Sequence, residues 1–233
     1  MKDSLTLKII AKIKTDFPEK FGIPRQSGLI PELKSEIIFE PEYRDSSALK
    51  GLEGFSHIWL LWEFSKTKNE KWSPTVRPPR LGGNKRMGVF ATRSPFRPNP
   101  IGLSCVKIEE IKKTEDKGTV LIISGADLLD GTPIYDIKPY LPYADCKPEA
   151  LGGFSQEVYG DKLEVIIPKE YMTLFEKEKL SALIAVLKSD PRPAYQKDEN
   201  REYGFDFAGY SIKFKVKEKI LTVKDITKSK DTF

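Results

Sequence analysis

The chain has 233 residues, of which 39% are hydrophobic and 31% charged, with 17 Pro, 16 Gly and a formal net charge of +5. This composition is typical of one large or two modest loop-rich domains with much β structure, and it argues against a helical bundle. The chain has a single histidine and two cysteines without a C-x-x-C spacing, which argues against zinc and redox proteins. No apolar run approaches the roughly 20 residues of a membrane span, which argues against a transmembrane protein. We therefore expect a cytoplasmic protein.

The first elements along the chain are two strands separated by a polar loop. Apolar and polar residues alternate from Leu5 to Ile13 and again over residues 35–39, which predicts strands. Between them, Pro24 and two neighbouring glycines should expose Arg25 and Gln26 as a pair of hydrogen-bond donors. An ordinary turn with incidental polar residues is the alternative interpretation of this loop.

The run from Ile58 to Leu61 is apolar on both faces and predicts a central strand. His57 at its start is interpreted as a half-buried, hydrogen-bonded residue rather than a general base. Residues 69–79 then form a proline-containing loop with Trp72, an aromatic that either stacks on a nucleobase or covers the end of a barrel.

The most constrained stretch runs from Met87 to Ser104. Residues 88–91 are interpreted as the end of a buried strand, and the polar residues that follow are interleaved with Pro95, Pro98 and Pro100. Proline fixes φ and lacks an N–H group, so this stretch predicts a rigid polar loop that holds its side chains at little entropic cost. A proline-stiffened connector with solvated arginines is the alternative.

Positive charge is concentrated around this loop. Between residues 71 and 108 there is no Asp or Glu, whereas eight basic residues occur: Lys71, Arg77, Arg80, Lys85, Arg86, Arg93, Arg97 and Lys107. Such a field favours a polyanion or an anionic ligand group as partner. A solvated basic face balanced by remote acids is the competing interpretation.

A second polar centre follows a predicted antiparallel pair over residues 104–111 and 119–123. Asp127, Asp130 and Asp136 stand there among apolar residues. Their carboxylates suit hydrogen bonds from ribose hydroxyls or an ammonium group, or pairing with the arginines. A divalent metal is a further option that the residue types do not favour, because no histidine or additional acid accompanies them.

The composition changes after Asp145. Residues 146–153 resemble a linker, residues 163–167 a strand, and residues 169–188 an amphipathic helix. A motif over residues 190–195 ends the helix, and strict alternation over residues 210–216 predicts another strand with a partner at 220–223. We therefore predict two domains, residues 1–145 and residues 146–233.

Several motifs together identify a family. Arg77-Pro-Pro-Arg-Leu-Gly-Gly83, Gly88-Val-Phe-Ala-Thr-Arg-Ser-Pro95, Arg97-Pro-Asn-Pro-Ile-Gly-Leu-Ser104 and Asp127-Leu-Leu-Asp-Gly-Thr-Pro-Ile134 resemble the TrmO-type tRNA methyltransferases, also called the TsaA-like or YaeB family. The resemblance implies a mainly β fold, with a single S-adenosylmethionine-binding β-barrel that is not of the Rossmann type and a small α+β C-terminal domain. It also implies a homodimer with the site near the subunit boundary. No Gly-x-Gly-x-x-Gly follows a predicted strand, in agreement with this expectation.

The resemblance further implies methylation at N6 of threonylcarbamoyladenosine, next to the anticodon at position 37 of tRNA. The cofactor-binding residues it implies are Pro24, Arg25, Gln26, Ser65, Lys66, Arg93, Leu103, Asp127, Leu128, Leu129, Asp130 and Gly131. At Ser65 and Lys66 the sequence departs from family members that have histidine. Tyr195, Asp127 and Asp130, together with bulk water, remain open as proton acceptors, and no metal is expected.

The residues expected to hold the anticodon stem-loop by its phosphates are Arg77, Arg80, Lys85, Arg86 and Arg97. Two other functions fit parts of the pattern. A non-catalytic barrel that binds RNA or a small ligand explains the charge and the prolines, and a metal-dependent hydrolase explains the aspartates.

Overall fold

The computed structural model describes residues 5–67, 71–78, 81, 85–158, 162–192 and 198–229. Its first half is a closed barrel of six strands in the order β1-β2-β7-β6-β3-β8, with every pairing antiparallel. The barrel strands are β1 (Ala11–Lys14), β2 (Lys34–Phe39), β3 (His57–Glu63), β6 (Ile101–Thr114), β7 (Gly118–Ser124) and β8 (Pro133–Pro139). Two short strands, β4 (Thr75–Val76) and β5 (Met87–Gly88), pair as a separate ribbon.

Alternation of apolar side chains explains the barrel. Ile58, Leu60 and Trp62 on β3 point inward and are buried, as are Leu121 and Ile123 on β7. Like every strand of the closed barrel, β3 has hydrogen-bonded neighbours on both sides, here β6 and β8, so it is an interior strand as its apolar run predicts.

The second half carries a four-stranded sheet in the order β10-β11-β12-β9. Its elements are α1 (Pro142–Asp145), β9 (Glu164–Ile166), α2 (Lys169–Met172), α3 (Lys177–Lys188), β10 (Tyr203–Phe207), β11 (Tyr210–Lys217) and β12 (Ile220–Lys228). Helix α3 buries Ala182, Leu183, Val186 and Leu187, and this i, i+1, i+4, i+5 spacing is one face of a helix. That face packs into the same hydrophobic core as the sheet.

The loop between β1 and β2 belongs to the second core rather than to the barrel core. Phe17, Ile30 and Leu33 of this loop are buried with the residues of α3 and the four-stranded sheet. Gly22 adopts φ +91, and a Cβ atom there would lie 2.4 Å from the ring of Phe205. A division at residue 145 therefore stays a prediction about the chain, since the packing of this loop crosses it.

The expectation of a mainly β fold is confirmed, with several local corrections. The first strand begins only at Ala11, and residues 89–91 form a 3-10 helix rather than the end of a buried strand, with Val89 alone of the three buried. The predicted helix over residues 169–188 is divided into α2 and α3. Within the described part of the chain, no helix is both long and apolar enough to cross a membrane.

Candidate active site

A pocket of about 580 Å³ opens at the end of β3, between four neighbouring segments. The β1–β2 loop, the segment after β3, the loop that leads into β6 and the segment between β7 and β8 each supply part of its wall. Its lining residues are Lys20, Ile23, Pro24, Arg25, Gln26, Trp62, Glu63, Phe64, Ser65, Lys66, Thr92, Arg93, Pro95, Arg97, Asn99, Ile101, Gly102, Leu103, Asp127, Leu129 and Thr132.

A buried chain of hydrogen bonds ends on the carboxylate of Asp127. The indole Nε1 of Trp62 donates to Ser104 Oγ at 2.9 Å, and that hydroxyl donates to Asp127 Oδ1 at 2.6 Å. Burial raises the pKa of Asp127, whereas the Ser104 hydrogen bond and the positive charge of Arg93 act in the opposite direction. The pocket thus holds an oriented carboxylate whose pKa lies above that of a free aspartate.

The backbone around Gly125 brings this carboxylate to the β1–β2 loop. Gly125 follows β7 with φ +78, and a Cβ atom there would lie 3.2 Å from Gly28. The N–H of Gly28 donates to the carbonyl of Gly125 at 2.8 Å, and the N–H of Cys105 donates to Ser27 Oγ at 3.1 Å. Glycine is needed for this left-handed conformation and close approach, which fasten the loop to β6 and β7.

Two arginines connect the pocket to neighbouring segments. Arg93 Nη1 donates to Gln26 Oε1 across the pocket. Arg25 Nη2 donates to the carbonyls of Arg192 at 2.7 Å and Asp190 at 3.4 Å. The wall that carries Arg25 is therefore tied to the turn after α3.

That turn is closed by an internal ion pair. Arg192 Nε and Nη2 each lie 2.9 Å from a different carboxylate oxygen of Asp190, and Asp190 has φ 53. Such a bidentate pair fixes the backbone carbonyls that Arg25 contacts. Tyr195 of the same motif lies outside the described residues.

Internal hydrogen bonds from Arg97 hold the proline-rich loop together. Arg97 Nη1 donates to the carbonyls of Thr92 at 3.1 Å and Ser94 at 3.3 Å. Thr92 Oγ1 in turn accepts from the N–H of Ser94 at 3.3 Å. These contacts place Arg97 in the pocket wall, although the sequence assigned it to the basic surface.

Sequence reasoning missed a second pocket carboxylate, Glu63, which is only 7% exposed. Burial, together with a hydrogen bond to Glu63, raises the pKa of Tyr135 to about 12. The available signal was a charged residue inside the aromatic run Trp62-Glu63-Phe64, because acids are rarely buried without a role. Lys20 and Thr132 also line the pocket and were not predicted.

Most residues predicted to bind the cofactor come together in the pocket, but three do not. Those in its wall are Pro24, Arg25, Gln26, Ser65, Lys66, Arg93, Leu103, Asp127 and Leu129. Leu128 packs in the barrel core because its side chain points inward, and Asp130 is exposed and accepts the N–H of Thr15 at 2.8 Å. Gly131 forms an exposed turn with φ 71.

Arg77, Lys85 and Arg86, which were predicted to bind RNA, are exposed and do not line the pocket. Arg86 donates through Nε to Thr75 Oγ1 at 2.8 Å, which fixes it across the β4–β5 ribbon. Arg80 lies outside the described residues.

The three acids after β7 do not converge. Asp136 accepts the N–H of Ile137 and pairs with Lys138, Asp130 binds Thr15, and Asp127 alone of the three faces the pocket. Among the residues that the structure describes, no group of three or more His, Cys, Asp or Glu is placed to hold a metal ion. The aspartates thus give no support to a metal-dependent hydrolase.

Comparison with known proteins agrees with the motifs. A family model for the tRNA-methyltransferase O N-terminal domain matches residues 12–146, and one for the TrmO C-terminal domain matches residues 161–229. The chain is 43% identical over 223 residues to the tRNA (adenine(37)-N6)-methyltransferase of Escherichia coli, covering 93% of this chain and 94% of the relative. It is also 43% identical over 202 residues to a putative S-adenosylmethionine-dependent methyltransferase, RcsF, of Pseudomonas aeruginosa, covering 84% and 85%.

Solved structures give the same result. The crystal structure of TrmO from Pseudomonas aeruginosa superposes with a TM-score of 0.77 at 30% identity, covering 97% of this chain and all of the other. The predicted family, and with it the class of enzyme and cofactor, is confirmed. The chain therefore belongs to the TrmO family of S-adenosylmethionine-dependent tRNA methyltransferases.

Proposed function

We propose that this protein transfers the methyl group of S-adenosylmethionine to N6 of threonylcarbamoyladenosine at position 37 of tRNA. The observation that carries the proposal is that Arg25, Arg93 and Asp127, which lie far apart in the sequence, share one pocket. A scatter of these residues over separate surfaces would have argued against it.

The lining suits the cofactor. A volume of about 580 Å³ is within the range of small-molecule sites. Leu103, Leu129 and Trp62 offer apolar surface for an adenosyl group, while Asp127 and Glu63 can accept hydrogen bonds from ribose hydroxyls or an ammonium group. When bound, S-adenosylmethionine supplies an activated methyl group on a sulfonium.

The protein's own contribution would be mainly orientation, because methyl transfer from a sulfonium needs in-line placement and little covalent help. The loop fixed by Arg97 and the contact between Arg93 and Gln26 hold two walls of the pocket in place. Both walls can therefore position ligands without first becoming ordered.

Among the candidate proton acceptors, the geometry favours Asp127. It lines the pocket, its carboxylate is oriented by Ser104, and its raised pKa brings it closer to the operating pH. Asp130 is directed to the backbone of Thr15 instead. We propose that Asp127 accepts the proton that leaves N6.

A carboxylate on the substrate would meet a positive wall. The threonyl group carries this carboxylate, and Arg25, Arg93, Arg97 and Lys66 all line the pocket. A guanidinium is well matched to a carboxylate because its N–H donors form a planar fork. We assign this role first to Arg25.

Three further expectations remain part of this proposal. They are a homodimer with the site near the subunit boundary, a cytoplasmic location, and two domains divided near residue 145. Each follows from the family resemblance or from the composition.

The test is transfer of a radiolabelled methyl group to tRNA with and without the threonylcarbamoyl group. We expect labelling of the modified tRNA and little or none of the tRNA that lacks the group. Equal labelling of both would contradict the proposed substrate. Retention of the cofactor without any transfer would instead favour a non-catalytic binding module.

A further inference from the structure

Three aromatic side chains are exposed beside the pocket, and the proposed chemistry does not use them. Phe90 is 75% exposed, Trp72 is 52% exposed and Phe96 is 37% exposed. Large aromatic side chains on a surface cost free energy in water, so an exposed group of them points to a binding partner.

Backbone hydrogen bonds fix the segments that carry these rings to the rim of the pocket. The N–H of Ser73, next to Trp72, donates to the carbonyl of Phe96 at 3.1 Å. The N–H of Val89, next to Phe90, donates to the carbonyl of Pro74 at 3.0 Å. Phe96 itself stands between Pro95 and Arg97, which both line the pocket.

The 3-10 turn over residues 89–91, which carries Phe90, is anchored by a buried side chain. Val89 is buried, and the N–H of Thr92 donates to its carbonyl at 3.1 Å, so the 3-10 turn holds Phe90 outward. A ring that is presented on a fixed backbone loses little conformational freedom when a partner stacks on it. The arrangement is that of a preformed contact surface.

Charge identifies the kind of partner. The eight basic residues between residues 71 and 108, with no acid among them, favour phosphate groups. Arg86, fixed to Thr75 on the β4–β5 ribbon, lies in the same segment as Trp72 and Phe90. Contact of this segment with the same segment of a second copy would bring like charges together, so in the proposed homodimer we expect the subunit boundary to lie on another side of the pocket.

We propose that Trp72 and Phe90 form a stacking platform for unpaired anticodon-loop bases that flank the base entering the pocket. This inference rests on the proposed function for the identity of the RNA. Single-stranded loops are recognised by stacking on aromatic side chains, whereas basic side chains hold the backbone. The platform would add contacts to the bases, which arginines bound to phosphates do not provide.

The experiment measures tRNA affinity over a series of salt concentrations for Trp72→Ala and Phe90→Ala. We expect each variant to bind roughly tenfold more weakly with an unchanged salt slope, because stacking releases no counterions. Lys85→Ala combined with Arg86→Ala should instead flatten the slope. Phe90→Tyr keeps a ring and should retain affinity.

The matched control is Tyr143→Ala, which removes an aromatic that is 84% exposed from α1, outside the basic segment. It should leave tRNA affinity unchanged. Cofactor affinity, measured on every variant, should also stay unchanged and so report an intact pocket.

Unchanged tRNA affinity in both aromatic variants would overturn the platform. So would a change from dimer to monomer in sedimentation that accounts for any loss, since the rings would then belong to an interface between copies. Because binding is read without turnover, a wild-type protein that binds tRNA through these rings but transfers no methyl group would refute only the proposed function.

Discussion

The barrel and the C-terminal sheet differ in what they bury. Among the described residues, every buried Ser, Thr or carboxylate side chain lies between residues 35 and 132: Ser35, Glu63, Ser104, Ser124 and Thr132. The core around the C-terminal sheet is built from apolar and aromatic side chains, including Phe205, Phe207 and Phe214. Glu63 and Thr132 line the pocket and Ser104 donates to Asp127, so three of these five buried polar side chains accompany the site.

The two regions nevertheless meet in one element. The β1–β2 loop supplies Pro24, Arg25 and Gln26 to the pocket, while Phe17, Ile30 and Leu33 of the same loop pack in the C-terminal core. The apolar C-terminal core therefore supports the polar pocket through this loop.

The largest effect is expected from Asp127→Asn, which removes the proposed base but preserves its shape. We expect a loss of about 10²- to 10⁴-fold in the rate of methyl transfer at saturating cofactor, the usual contribution of a general base. Single-turnover transfer to modified tRNA measures it. Asp130→Asn is the control and should stay near wild type, whereas a similar rate for both variants would remove Asp127 from its role.

The second-largest effect is expected from variants that test the link between the C-terminal core and the pocket. Phe205→Ala should lower the free energy of unfolding by about 3–5 kcal/mol and, because its ring packs against Gly22, should also weaken cofactor binding. Leu221→Ala on β12 should lower stability by about 2–5 kcal/mol without changing cofactor affinity of the folded protein. Urea unfolding and calorimetry measure the two quantities. Equal cofactor affinity in the two variants would break the proposed link.

The smallest effect is a shift in pH dependence. Ser104 donates to Asp127 and so opposes the rise in pKa that burial causes. In Ser104→Ala the pKa of Asp127 should rise further, and because the reaction needs the carboxylate, the acid limb of the pH–rate profile should move to higher pH. Ser104→Thr keeps the hydroxyl and should leave the limb in place. An acid limb that is unchanged or lies at lower pH in Ser104→Ala would contradict the predicted rise in the pKa of Asp127.

Local patterns predicted the strands, whereas most of the pocket residues were implied by the family resemblance. The apolar run of β3 and the prolines before β6 can be recognised locally, because hydrophobic patterning and the fixed φ of proline are properties of the sequence itself. Glu63 was missed because its burial depends on strands that close around it. Leu128, Asp130 and Gly131 lie outside the pocket wall although the resemblance assigned them to the cofactor. Neighbouring side chains after β7 face different directions, which a motif shared with a family does not reveal.

The packing of the β1–β2 loop against the C-terminal region was also beyond the sequence. Its contacts join residues separated by more than 150 positions, as between Arg25 and Arg192. The fold alone brings such pairs together.

The most direct test of the central claim, that the cofactor binds in the pocket at the end of β3, is calorimetric titration of S-adenosylmethionine into two arginine variants. Arg93→Ala alters the pocket wall, and Arg77→Ala alters an exposed residue outside it. We predict a loss of roughly tenfold or more in affinity for Arg93→Ala and no change for Arg77→Ala. Wild-type affinity in Arg93→Ala, with loss in Arg77→Ala, would contradict the account.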